Sequence, residues 1–137
     1  MQQEKQTIME TVKHYLNAYA DKNLADCMKY ISEESPILML GTNEDEVISD
    51  RAALEKAYQR DFSLMNRINF GEFRNQYIET NGRLASVLVE LSTSFESQGK
   101  ITQTIVRYAL TLTQEADQWK ICAGMTSVPF KSGTYSF

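Results

Sequence analysis

The sequence predicts an α+β fold: three N-terminal helices packed on one face of a curved, mainly antiparallel sheet. Two observations carry that reading. Up to about residue 66, apolar residues recur at three- and four-residue spacing, interrupted by one short apolar run. From residue 70 the pattern turns to alternation, cut at Asn81-Gly82, Gln98-Gly99 and Ala116-Asp117. That is the rhythm of a four-stranded meander. Helices first and hairpins afterwards put the helices together on one side of the sheet. The chain has 137 residues, one domain's length (1–137), and enough to bury a core.

Residues 3–21 read as the first helix, because Ile8, Val12, Tyr15, Leu16 and Tyr19 form one apolar stripe. Asp21-Lys22-Asn23 ends it. Asn23 can cap a short second helix, Leu24 to Ile31, with Asp26 in its first turn. Ser35-Pro36 stops that helix, and Ile37 to Leu40 is a short strand ended by Gly41. A polar turn, GTNEDEVISD, leads to a third helix capped by Ser49 or Asp50 and running to about Asn66. Leu54, Ala57, Tyr58, Asp61, Phe62 and Met65 share its face, so one carboxylate lies on an apolar stripe. The strands follow at Phe70 to Thr80, Arg83 to Ser97, Lys100 to Gln114 and Gln118 to Val128.

The turns fix a register. A Gln98-Gly99 loop sets Glu90 opposite Arg107, Val89 opposite Tyr108, Val87 opposite Leu110 and Ala85 opposite Leu112. An Ala116-Asp117 loop sets Leu112 opposite Ile121, Leu110 opposite Ala123 and Tyr108 opposite Met125. Both turns collect the apolar residues on one face, which a one-residue slip would undo. The Asn81-Gly82 turn, extended back, sets Gln76 opposite Val87 and Arg74 opposite Val89, both inward unless a bulge reverses them. The other sheet face has Leu88, Ile105 and Ala109 at its centre, with Glu90 and Arg107 as a cross-strand ion pair. A face that apolar is expected to meet a second copy of the chain in a homodimer.

Composition removes several classes. Hydrophobic residues make up 42% and charged residues 23%, so a soluble globular protein is expected. A net charge of -4 gives no support to a nucleic-acid or membrane partner. There is one histidine, His14, expected at the surface. Cys27 and Cys122 carry no CxxC spacing. No metal or other cofactor is therefore expected. The start, MQQEKQTIMETVKHYL, lacks an export signal's apolar run, so a cytoplasmic location with free thiols is expected.

Local words then match a family. Gly41-Thr42, Glu46 and DRAALEKAYQRDF at 50–62, with Trp119-Lys120-Ile121 followed by Ser127-Val128-Pro129, resemble the SnoaL-like branch of the nuclear transport factor 2-like superfamily. The likeness spans nearly the whole chain. It implies a cone-shaped, cystatin-like α+β fold with a cavity between the sheet and the first and third helices. The superfamily holds steroid isomerases, dehydratases and polyketide cyclases, and also non-enzymatic adaptors and dimerisation modules. Where its pattern often has a histidine before the last strand's serine, this chain has Met125, and Ala123 two residues earlier. Asp50 stands where a glycine is usual. No catalytic residue transfers by position.

In such a cone the ligand-binding candidates are Tyr15, Tyr19, Tyr58, Asp61, Arg74, Tyr108 and Met125. Each also has a plainer role. Stripe tyrosines serve as core, and Met125 as a gap-filler. Asp61 either meets a cation such as Arg74 or has a raised pKa, in which case it is a candidate general base. The leading reading is a pocket for a small apolar or aromatic organic ligand. The second is an isomerase, dehydratase or cyclase with Asp61 as base and a tyrosine hydroxyl facing a developing oxyanion. The third is an interaction module whose cone is filled. Tyr135 and Phe137 of the tail are candidates to cover a neighbouring surface.

Overall fold

Each short-range signal for a helix start acts as the sequence predicts. In this computed structural model, which describes residues 2–135, α1 spans Gln2–Ala20. Asn23 then accepts the Asp26 amide at 3.1 Å and opens α2, Leu24–Lys29. Asp50, rather than Ser49, accepts the Ala53 amide at 2.8 Å and opens α3, Arg51–Leu64. Each bond satisfies one backbone donor that the first helical turn leaves free. The Arg51 guanidinium donates to the carbonyls of Ile31 (2.8 Å) and Ser32 (3.2 Å), tying the start of α3 to the chain leaving α2.

Six strands form one sheet, in the order β2-β1-β6-β5-β4-β3. They are β1 (Leu38–Leu40), β2 (Val47–Ile48), β3 (Asn66–Asn81), β4 (Leu84–Ser97), β5 (Lys100–Glu115) and β6 (Gln118–Ser127). All neighbours are antiparallel except β1 and β6, which run parallel. The two-residue strand β2 is not foreseen in the sequence. The turns Gln98-Gly99 and Ala116-Asp117 have positive φ at both residues, the backbone that matches strand twist in tight hairpins. The β4–β5 register is the expected one, from Leu84↔Thr113 to Ser97↔Lys100.

Two expectations about register fail, both through bulges. The β3–β4 turn is Gly82-Arg83, with Asn81 pairing Leu84, so the register starts two residues away from that expected of Asn81-Gly82. Three extra residues then enter β3, and two of the bulges hold a residue in the left-handed region, Arg67 (φ 52) and Asn75 (φ 51). As a result Arg74 pairs with Glu90 on the outer face and does not point inward. In β6, Leu112↔Ile121 holds as expected, but an extra residue follows, and Leu110 pairs with Gly124 while Ala109 pairs with Met125. Met125 is therefore on the outer face and 50% exposed, and Ala123 leaves the inner face with it.

The core lies between the inner sheet face and the helices. Ile8, Val12 and Leu16 of α1 and Leu54 of α3 pack with Val87, Leu91, Leu112 and Ile121 of the sheet, all at most 2% exposed. Cys27 is buried there, and burial pushes its thiol up to about 12. His14 is exposed. Tyr135 meets Phe130 edge-on, ring centroids 5.0 Å apart, while Phe137 lies outside the described residues. No helix among the described residues is long and apolar enough to cross a membrane.

Candidate functional site

Helical spacing brings the site's tyrosines together. Tyr15 and Tyr19 are one turn apart on α1, and Tyr58 and Asp61 one turn apart on α3, so two pairs meet where the helices face each other. The Tyr15 and Tyr58 hydroxyls hydrogen-bond to each other. The Tyr19 hydroxyl donates to Asp61 Oδ2 at 2.8 Å. The rings also touch. Tyr19 lies edge-on to Tyr58 (5.9 Å) and Phe62 (5.3 Å), and Tyr58 stacks on Phe62 at 6.2 Å. Such contacts hold the hydroxyls in place at low entropic cost.

Between this cluster and the sheet lies a cavity of about 510 Å³. Tyr15, Tyr19, Tyr58, Asp61 and Tyr108 all line it. Its apolar wall comes from Leu16, Leu54, Ile68, Phe70, Val106 and Leu110. Arg74 and Met125, expected there, are absent from the wall because the bulges turn them outward. Gly124 and Thr126 take the inward positions instead. A Cβ at Gly124 would sit 2.8 Å from Leu110 Cδ2 and 3.3 Å from Met39 Sδ, so glycine keeps that wall open. Met39, Thr93 and Thr104 are further lining residues that the sequence reading missed. Thr93 and Thr104 sit directly opposite each other on β4 and β5, and could have been found from the correct β4–β5 register. Gly124 carried a signal too, since a glycine inside a strand marks a bulge or a close approach.

The electrostatics separate the acid from the phenols. Burial raises the pKa of Asp61 above its ordinary value; its bond from Tyr19 pulls the other way, nearby Glu46 pushes it further up, and the charge of Arg60 pulls it down again. Among the described residues no arginine or lysine forms an ion pair with Asp61. Glu46 instead takes the Arg60 guanidinium (3.5 Å) and the Asn43 amide (2.8 Å). Burial holds Tyr15, Tyr19, Tyr58 and Tyr108 well above the ordinary phenol value, so all four stay protonated donors at neutral pH. The Tyr108 hydroxyl has no hydrogen-bond partner among the described residues. The site thus offers the Asp61 and Glu46 carboxylates as acceptors, the uncommitted Tyr108 phenol as a donor, and walls that are largely apolar with threonines among them. No group of three or more potential metal ligands occurs among the described residues.

On the outer face, Glu90 accepts from Arg107 Nε at 2.7 Å, Arg74 Nε lies 3.1 Å away, and Asn75 donates at 2.9 Å. These bonds, from Arg107 first and Asn75 next, hold the Glu90 carboxyl below its ordinary range. Leu88, Ile105 and Ala109 share this face with Glu90 and Arg107, and Tyr77 and Met125 join them.

Solved structures share the fold. A ketosteroid isomerase-like protein from Erwinia carotovora atroseptica is 15% identical, with 96% of this chain and 100% of that one covered and a TM-score of 0.81. A proposed scytalone dehydratase from Novosphingobium aromaticivorans is 12% identical, with 98% and 89% covered and a TM-score of 0.82. A nuclear transport factor 2-like protein of unknown function from Pseudomonas putida is 13% identical, with 98% and 92% covered and a TM-score of 0.78. At such identities the likeness speaks for the fold alone. No curated protein matches the sequence. The SnoaL-like domain model matches residues 8–131, so the chain belongs to the SnoaL-like family, and its helices on a curved, open sheet form the nuclear transport factor 2-like fold of those structures.

Proposed function

We propose that this protein binds a small, largely apolar or aromatic organic molecule in the cavity between α1, α3 and the sheet. One observation carries the reading. A space of about 510 Å³ is walled largely by aliphatic and aromatic side chains, with threonines, the Asp61 and Glu46 carboxylates and an uncommitted phenol among them. Small-molecule sites have that size and that sparse polar lining. The test is calorimetry with naphthol. The expected result is one site per chain, lost in Ala57→Phe, which would put a ring into the cavity. Failure of naphthol and of related bicyclic aromatics, neutral and charged, to bind would sink the reading.

A second reading makes the site catalytic, and it is favoured because no ion pair is made to Asp61 among the described residues. A carboxylate with a raised pKa can remove a proton from carbon beside a carbonyl, and a phenol can donate to the enolate oxygen that forms. Tyr108 and Asp61 suit those roles, as does the uncharged state of the phenol. The check is hydrogen exchange of β-tetralone in heavy water followed by NMR. Exchange above the buffer rate that disappears in Asp61→Asn supports catalysis, and no excess exchange refutes it.

We also propose that the outer sheet face meets a second copy of the chain. Tyr77, Leu88, Ala109 and Met125 form one row across β3, β4, β5 and β6, and the first two and last are half exposed. A continuous apolar row on a sheet face points to a partner surface. A two-fold axis parallel to the strands lays the tyrosine end of one row on the methionine end of the other, a self-complementary contact. Sedimentation should give a dimer for the native chain and a monomer for Leu88→Lys. A monomeric native chain would exclude it.

A further inference from the structure

The cavity is unbalanced in charge. Asp61 and Glu46 both line it, and no lysine, arginine or histidine is in its wall among the described residues. Glu46 is already answered by Arg60 and by the Asn43 amide. Among the described residues the Asp61 carboxylate receives a hydrogen bond from the Tyr19 hydroxyl alone, although it is half-buried on an otherwise apolar helix face. A carboxylate in such a place ordinarily has a cation or several donors. The rings of Tyr15, Tyr19, Tyr58, Tyr108 and Phe70 surround the same space. Their faces carry partial negative charge and attract cations.

We propose that the ligand is an organic cation, an amine whose ammonium group pairs with Asp61 and whose apolar body lies among the tyrosine and phenylalanine rings. The inference rests on the cavity being a ligand site. An ammonium group supplies the charge-assisted partner that the chain leaves out, and charge-assisted bonds are the stronger kind. It also turns the aromatic wall from a merely apolar surface into an attractive one. A carboxylic acid or phosphate ligand would meet the Asp61 carboxylate with no ion-pair partner and the Arg60 charge already engaged by Glu46, which opposes binding.

The experiment uses three probes with one ring system: naphthylmethylamine (protonated at neutral pH), naphthylmethanol and naphthoate, each titrated into the full chain by calorimetry. The amine is expected to bind at least about tenfold more tightly than the alcohol, and the acid most weakly. Asp61→Asn should bring the amine-to-alcohol ratio near one, whereas Asp61→Glu, which keeps the charge, should retain a preference for the amine. An alcohol that binds as well as the amine in the native protein overturns the cation proposal and leaves the ligand cavity standing. Binding by none of the three overturns both.

Discussion

Thr93 is predicted to be a residue whose removal strengthens the fold. It sits in β4 between Phe70 of β3 and Thr104 of β5, is 8% exposed, and its Oγ1 has no hydrogen-bond partner. An unpartnered buried hydroxyl costs about 1–3 kcal/mol. Thr93→Val keeps the shape, the branched Cβ and the strand preference, and removes the oxygen. A hydroxyl is a small, neutral polar group, so the low end of the range applies. The variant should gain about 1 kcal/mol, or roughly 3–5 °C in melting temperature for a domain of this size. Urea denaturation followed by circular dichroism measures it, and an unchanged slope would show that the unfolded state is not responsible. Thr104→Val is the control. Its hydroxyl reaches the Ile105 carbonyl at 3.4 Å and is half-buried, so the change should stay within about 0.5 kcal/mol. A Thr93→Val protein less stable than the native one would refute the reasoning, because the hydroxyl would then have to be bonded.

Asp61 has a folded-state pKa above its unfolded value, so its linked stability is complete in acid and is lost as pH rises through the folded value. Asp61→Asn should therefore be more stable than the native chain at neutral pH, with the gap closing in acid, as urea midpoints at both pH values would show. Glu90 runs the other way. Its lowered pKa supplies stability above the unfolded value that is lost as pH falls through the folded one, so Glu90→Gln should flatten the acid limb of a melting-temperature profile. Gly124→Ala would press a methyl against Leu110 and Met39 and should cost about 1 kcal/mol in chemical denaturation, while weakening binding of naphthol. Asp50→Ala removes the acceptor for the Ala53 amide and should also cost about 1 kcal/mol, with helical content lost first near α3 on heating.

The parts of the fold legible in the sequence are those set by short-range chemistry. The caps at Asn23 and Asp50 and the tight turns at Gln98-Gly99 and Ala116-Asp117 act over two to four residues and appear where their residue types predict. Tyr15, Tyr19, Tyr58, Asp61 and Tyr108 follow from helical period and from the β4–β5 register, and the structure brings them to one cavity. Arg74 and Met125 do not follow, because an extra residue in a strand carries no strong signature of its own. At β3 the extra residues include Arg67 and Asn75 in the left-handed region, and only asparagine has a known tolerance for it. At β6 a single inserted position near Cys122 is enough to exchange Ala123 and Met125 with Gly124 and Thr126. Strand β2, two residues long, is too short for any periodicity to reveal.

The bulges near Asn75 and Cys122 make spacing, rather than residue identity, the quantity that separates the two surfaces of the sheet. A substitution at either position alters one side chain. A last strand of the same length paired without its bulge would set Ala123 opposite Leu110 and Met125 opposite Tyr108, sending Met125 toward the cavity and Gly124 toward the exterior. One such change would narrow the cavity and break the apolar row together. Loss of the extra residue itself would leave Gly124 opposite Leu110 and Met125 opposite Ala109, so the irregular pairing at Cys122 decides which residues of the last strand form the cavity wall.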